Sequence, residues 1–174
     1  MSAAEKQIQR FSLFQRLEHI LLVVSFSLLG LTGLPQKYAL SPISQGIISF
    51  LGGIESIRII HRVAATVFLL EAIYHAVVVI YKLWVERREA TMFPTVKDGL
   101  DIGHSVLYSL GFRKTPPEMP RYNYGEKMEY LAMLWGFFVM AITGFMLWNP
   151  IVTTNFLPGQ FIPAAKIAHG MEGL

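Results

Sequence analysis

Cysteine is absent from all 174 residues. That excludes a covalently attached c-type haem, a thiolate-held iron–sulfur cluster and any disulfide, so redox chemistry in this chain requires a cofactor held without covalent bonds. Charge is the second scarcity. Asp, Glu, Lys and Arg make up 16% of the chain against 53% hydrophobic residues, and mean hydropathy is +0.44. Soluble domains carry about a quarter charged residues, so the composition points to a membrane. A phosphate-binding loop, paired catalytic carboxylates and a Ser-His-Asp order are also missing, which leaves standalone substrate chemistry unsupported. The first apolar segment has no small-residue cleavage site after it and is expected to stay in place as a span.

The apolar residues are concentrated in blocks. Spans are expected at roughly 17–35, 58–85 and 127–149, with a fourth from about 162 onward, which predicts an all-α membrane protein, a four-helix transmembrane bundle forming a single membrane-embedded domain over 1–174. Three blocks can cross about 30 Å of hydrocarbon as helices. The fourth has only about a dozen residues before Leu174, so it is read either as part of a longer chain or as a span that a partner chain completes. Val96, Leu100, Val106, Leu107 and Leu110 mark 95–112 as an amphipathic surface segment, where His104 is not expected to be a ligand. Thr115 to Pro120 reads as a stiff connector, and Ser41 to Ile57 as a short interfacial helix. Trp84, Trp148, Tyr38 and Tyr81 lie at span ends as interfacial anchors.

Basic residues set the expected orientation. The N-terminal tail and the connection between the second and third spans hold eleven Lys and Arg: Lys6, Arg10, Arg16, Lys82, Arg87, Arg88, Lys97, Arg113, Lys114, Arg121 and Lys127. The other side holds four, Lys37, Arg58, Arg62 and Lys166. The positive-inside bias therefore predicts a cytoplasmic (inner) membrane protein with a cytoplasmic N-terminus. These charges are juxtamembrane rather than interleaved with aromatics on a soluble face, so no nucleic-acid partner is expected.

Histidine carries the chemistry. His61 and His75 stand fourteen residues apart in one apolar block, so both imidazoles project from nearly the same helix face, about 21 Å apart along the axis. Histidine is rare in hydrocarbon, and two on one stripe make a functional site the default reading. With the topology above, His61 and His169 lie at an outer level and His19 and His75 at an inner one. Two levels of imidazole in a helical bundle are what two bis-histidine haems require.

The chain also repeats itself. Arg16-Leu-Glu-His19 matches Lys127-Met-Glu-Tyr130, and Thr32-Gly33 matches Thr143-Gly144, both at an offset of 111. Arg58-Ile-Ile-His61 matches Lys166-Ile-Ala-His169 at an offset of 108, which would carry the counterpart of His75 to about position 183. Gly30, Gly33, Gly136 and Gly144 remove side chains where either a flat macrocycle or a neighbouring helix could approach.

Gln15-Arg-Leu-Glu-His19, Thr32-Gly33, Arg58-Ile-Ile-His61, Arg121-Tyr-Asn-Tyr-Gly-Glu-Lys127, Thr143-Gly-Phe-Met-Leu-Trp148 and Lys166-Ile-Ala-His169 occur in an order that resembles the di-haem cytochrome b membrane subunits of formate dehydrogenases (gamma subunit) and nickel–iron hydrogenases. The resemblance runs from about Phe11 to the end. It implies a haem b electron-transfer subunit of a respiratory oxidoreductase complex, passing electrons between a peripheral iron–sulfur or multihaem cytochrome subunit and membrane quinone. It also implies that His19, His61 and His169 are haem ligands, with a further fourth-span ligand past Leu174; His75 is an addition to the formate dehydrogenase pattern. The inner haem is thus read with His19 and His75 together, His19 pairing either with an off-chain histidine or with His75, and the outer haem with His61 and His169.

Quinone chemistry needs an apolar slot, a hydrogen-bonding group and a proton path. The segment Arg121 to Asn123 is similar to the family's quinone-proximal stretch, so Asn123 is read either as a quinone contact or as a helix cap. Glu71, an intramembrane carboxylate four residues before His75, either serves the imidazole and the proton path or pairs with a basic group on another helix. The competing functional class is a non-redox membrane anchor or a subunit that conducts protons or metal.

Overall fold

Helices account for all the regular structure in the computed structural model, which describes residues 12–174; the expectations resting on Lys6, Arg10 and Phe11 lie outside the described residues. The elements are α1 (Leu13–Lys37), α2 (Pro42–Phe50), α3 (Ile54–Trp84), α4 (Val96–Ser109), α5 (Tyr124–Trp148), α6 (Pro150–Thr154) and α7 (Phe161–Glu172). Capping chemistry sets their starts. Ser12 accepts from the Gln15 N–H while the Gln15 side chain accepts from the Ser12 N–H, a reciprocal box that starts α1 four residues ahead of the apolar run. Ser41 followed by Pro42 opens α2, and Asn123 with Glu126 closes the same kind of box at α5. The first three expected spans are therefore found as α1, α3 and α5 with ends displaced by a few residues, because caps rather than hydrophobicity decide where a helix begins, while the region expected to open a fourth span holds the 12-residue α7. Gly52 and Gly53, at φ 84° and 106°, make the reversal between α2 and α3, a backbone shape that a side chain disfavours.

Three of these helices, α1, α3 and α5, are long and apolar enough to cross a membrane. Among the described residues few apolar side chains are buried, Ile57, Ala64, Ala165 and Pro35, and large side chains such as Leu31, Leu70 and Trp135 stay exposed. Such surfaces are at equilibrium only in hydrocarbon or against other apolar protein, so this is a membrane protein.

The chain forms two compact units. The first comprises α1, α2 and α3 up to Tyr81; the second runs from Lys82 to Glu172 and comprises α4 to α7. The repeat seen in the sequence is a repeat of structure. α1 and α5 are both 25 residues long, and both their first and their last residues are separated by 111 positions. Each is followed by a short helix, α2 or α6, and then by the helix carrying His61 or His169.

In the second unit α4 is tied to the start of α5 by a buried ion pair. Lys127 Nζ donates to both Asp98 carboxylate oxygens at 2.8 Å, and Thr95 donates its N–H and hydroxyl to the same side chain. The Lys127 ammonium and the Thr95 donors lower the Asp98 pKa to about 2. Lys97 pairs with Asp101 at 2.7 Å and donates to the Glu118 carbonyl at 3.0 Å, while His104 Nε2 lies 3.1 Å from the Thr115 carbonyl. His104 therefore fastens the connector, as its place outside the spans suggests.

Candidate functional site

Within the first unit, the last turns of α1 form a seat for one imidazole. Thr32 Oγ1 lies 2.6 Å from the Leu28 carbonyl one turn back, and 2.9 Å from His61 Nδ1 on α3. A hydroxyl has one proton, and here the carbonyl takes it, so the oxygen is an acceptor toward the ring and Nδ1 carries the hydrogen. The neutral ring then has its lone pair on Nε2, the nitrogen for coordinating a metal. The next residue completes the seat. A Cβ added at Gly33 would stand 3.3 Å from His61 Cε1 and 3.8 Å from Nδ1, so only glycine leaves the ring its present place.

The second unit builds the same seat from α5 and α7. Thr143 Oγ1 donates to the Val139 carbonyl and stands 2.9 Å from His169 Nδ1. A Cβ at Gly144 would lie 3.3 Å from His169 Cε1 and 3.8 Å from Nδ1, the distances found at Gly33. Both threonines are buried although they carry a hydroxyl, at 2% and 8% exposure. The space at Gly33 and Gly144 is thus filled by an imidazole in each case. Gly30 has nothing within 4 Å of where its Cβ would be, and Gly136 faces the Glu172 carboxylate.

A second level in the first unit follows from register. In the first unit Gly33 packs on His61, and seven residues along each helix Phe26 meets Phe68 with ring centroids 6.3 Å apart. Seven more residues bring His19 on α1 and His75 on α3 to a common level, since the two helices run in opposite directions and a heptad advances each by about 10.5 Å. The seam therefore reads His, Phe, Gly on α1 against His, Phe, His on α3. In α5 the corresponding residues are Tyr130, Phe137 and Gly144, so tyrosine stands where the first repeat has His19. The unbroken α3 carries His61 and His75, as their fourteen-residue spacing requires.

Beside this second level, Glu18, Leu21, Val67, Glu71 and Tyr74 line a groove of about 470 Å³. Glu71 is 7% exposed and lies within electrostatic reach of Glu18 and His19. Asn123 is the cap of α5: its Oδ1 accepts from the Glu126 N–H at 3.0 Å. Sequence reasoning missed the threonine partners of the two imidazoles. The recurrence of Thr-Gly at the same 111-residue offset as the helix was the available signal. It missed the Asp98–Lys127 pair too, for which no local pattern exists.

The donors assembled are single neutral imidazoles presenting Nε2 in an apolar setting, which fits a haem iron taking one nitrogen on each face. A family profile described as prokaryotic cytochrome b561 matches residues 10–173. The chain belongs to that family. Haem b is accordingly its cofactor, and the chemistry of the two seats agrees. Among curated proteins the chain is similar to the cytochrome b556(Fdn) subunit of the nitrate-inducible formate dehydrogenase of Escherichia coli K12, at 25% identity over 169 residues, covering 97% of this chain and 72% of that protein. The corresponding subunits of Escherichia coli O157:H7 and Shigella flexneri match to the same extent.

Proposed function

We propose that this chain is a haem b electron-transfer membrane subunit of a respiratory oxidoreductase complex, passing electrons between a peripheral redox subunit and the membrane quinone pool. The observation that carries the proposal is the duplicated seat, in which a threonine hydroxyl fixes the tautomer of an intramembrane histidine and a glycine makes room for its ring. Haem b held by two neutral imidazoles supplies reversible one-electron chemistry at a six-coordinate iron. In this reading His61 and His169 are the axial ligands of an outer haem through Nε2, and His19 and His75 serve an inner one. The common level of the seam supports grouping the latter pair.

Membrane quinone is the proposed exchange partner, since two electrons and two protons must be handled together and Glu71 offers a buried carboxylate in a groove at the inner level. Asn123 is available to a quinone carbonyl only as a donor through its amide nitrogen, its oxygen being engaged in the cap. The name of the relatives supports a partner of the dehydrogenase kind, an iron–sulfur or multihaem cytochrome subunit. The Lys and Arg asymmetry supports placement in the inner membrane with the N-terminus in the cytoplasm.

A reduced-minus-oxidised visible spectrum of the protein purified with its cofactors tests the proposal. A sharp haem b alpha band is expected, and its absence would leave the non-redox anchor or conducting subunit standing. Replacing His61 by Ala is expected to remove part of that band, the outer haem, while the rest persists; an unchanged band overturns the ligand assignment.

A further inference from the structure

We infer that Thr32 and Thr143 are positioning residues that set the electron-donating strength of the imidazoles they hold, and hence lower the reduction potential of the haem those imidazoles ligate. The inference rests on the haem reading above and concerns two residues to which that reading gives no role in tuning.

Each threonine hydroxyl is the middle of a three-part chain running from a backbone carbonyl of its own helix, through the hydroxyl, to His Nδ1. Because the hydroxyl donates to Leu28 or Val139, its oxygen becomes a stronger acceptor, and hydrogen bonds in series in a low-dielectric interior reinforce one another. The acceptor oxygen draws the Nδ1 hydrogen toward itself and leaves the ring richer in electrons, so the stronger that bond, the more basic Nε2 becomes. A more basic ligand stabilises the ferric over the ferrous state, so the hydroxyl lowers the potential.

Two observations separate this from ordinary helix packing. Packing alone would be satisfied by valine, which has the shape of threonine without the hydroxyl, and a buried hydroxyl has no reason to stand 2.9 Å from a ring nitrogen for packing alone. The arrangement also occurs twice, in separate units, with the same oxygen–nitrogen distance and the same glycine clearance. In both cases the threonine is itself buried and its hydrogen is used by its own helix, so the acceptor cannot turn away to another partner.

The experiment compares Thr32→Val, Thr143→Val, Thr32→Ser and Thr143→Ser in the full chain purified from membranes. It measures haem content, the potentiometric midpoint and the ferric low-spin electron paramagnetic resonance spectrum. The valine variants are expected to raise the midpoint of one haem and shift its g values, or to weaken its haem affinity by about 10–100-fold, with the serine variants restoring the wild-type behaviour. Valine variants with unchanged haem content, midpoint and g values overturn the inference. So do valine and serine variants that lose haem alike, because the hydroxyl would then not be the deciding group. A wild-type chain that carries no haem overturns the functional reading itself and this inference with it.

Discussion

At the residue scale, the two glycines under the imidazoles are where a single methyl group decides the outcome. Gly33→Ala and Gly144→Ala each place a carbon 3.3 Å from His Cε1, closer than the ring tolerates without moving by a few tenths of an ångström. Alanine favours the helix by about 1 kcal/mol over glycine, so α1 and α5 gain stability while the site loses its geometry. Haem content is expected to fall in both variants with helical circular dichroism undiminished, and Gly30→Ala, which meets nothing within 4 Å, is expected to keep its haem. Equal haem content in all three would show that the seat yields. The four proposed ligand histidines stood out in the sequence through the spacing of His61 and His75, the expected topology and the family resemblance. The seat beneath them did not, because which neighbour a glycine faces depends on the pairing of two helices far apart in sequence.

At the element scale, α4 and its ion pair provide a pH dependence. Asp98 has its pKa lowered from 3.8 to about 2 by Lys127 and Thr95. A carboxyl whose folded pKa lies below its unfolded value contributes stability that is fully present above about pH 4 and is lost as pH falls through about 2. The attachment of α4 to α5 is therefore expected to hold at neutral pH and loosen only in strong acid. Amide hydrogen exchange across 96–109 measures it, and Asp98→Asn should raise exchange there at pH 7 and flatten the acid response. Element positions were largely legible, since apolar runs mark α1, α3 and α5. The ends were less so, because Ser12 and Asn123 start helices by accepting backbone N–H bonds and the Asp98 carboxylate accepts from the Thr95 N–H, contacts that hydrophobicity does not report.

At the scale of the whole molecule, the recurring helix pair is the organising fact, and the repeat was readable because helices offset by 111 residues keep both length and Thr-Gly position. Sidedness can be checked directly in a chain without native thiols. A cysteine placed at Thr115 is expected to react with a membrane-impermeant maleimide only from the cytoplasmic face, and one placed at Ser41 only from the opposite face. Labelling of both from one face would overturn the topology drawn from Lys and Arg.

The continuity of α3 has a consequence for speed. His61 and His75 ride on 31 residues of uninterrupted helix, so the gap between their levels is held by backbone bonds rather than by the docking of separate pieces. Electron tunnelling decays exponentially with separation, and a rod of fixed length makes that separation insensitive to loop movement or to the arrival of another protein. Under the two-haem proposal, control over throughput would act at the two ends of the relay, where charge enters and leaves, while the interior hop would run at a constant rate.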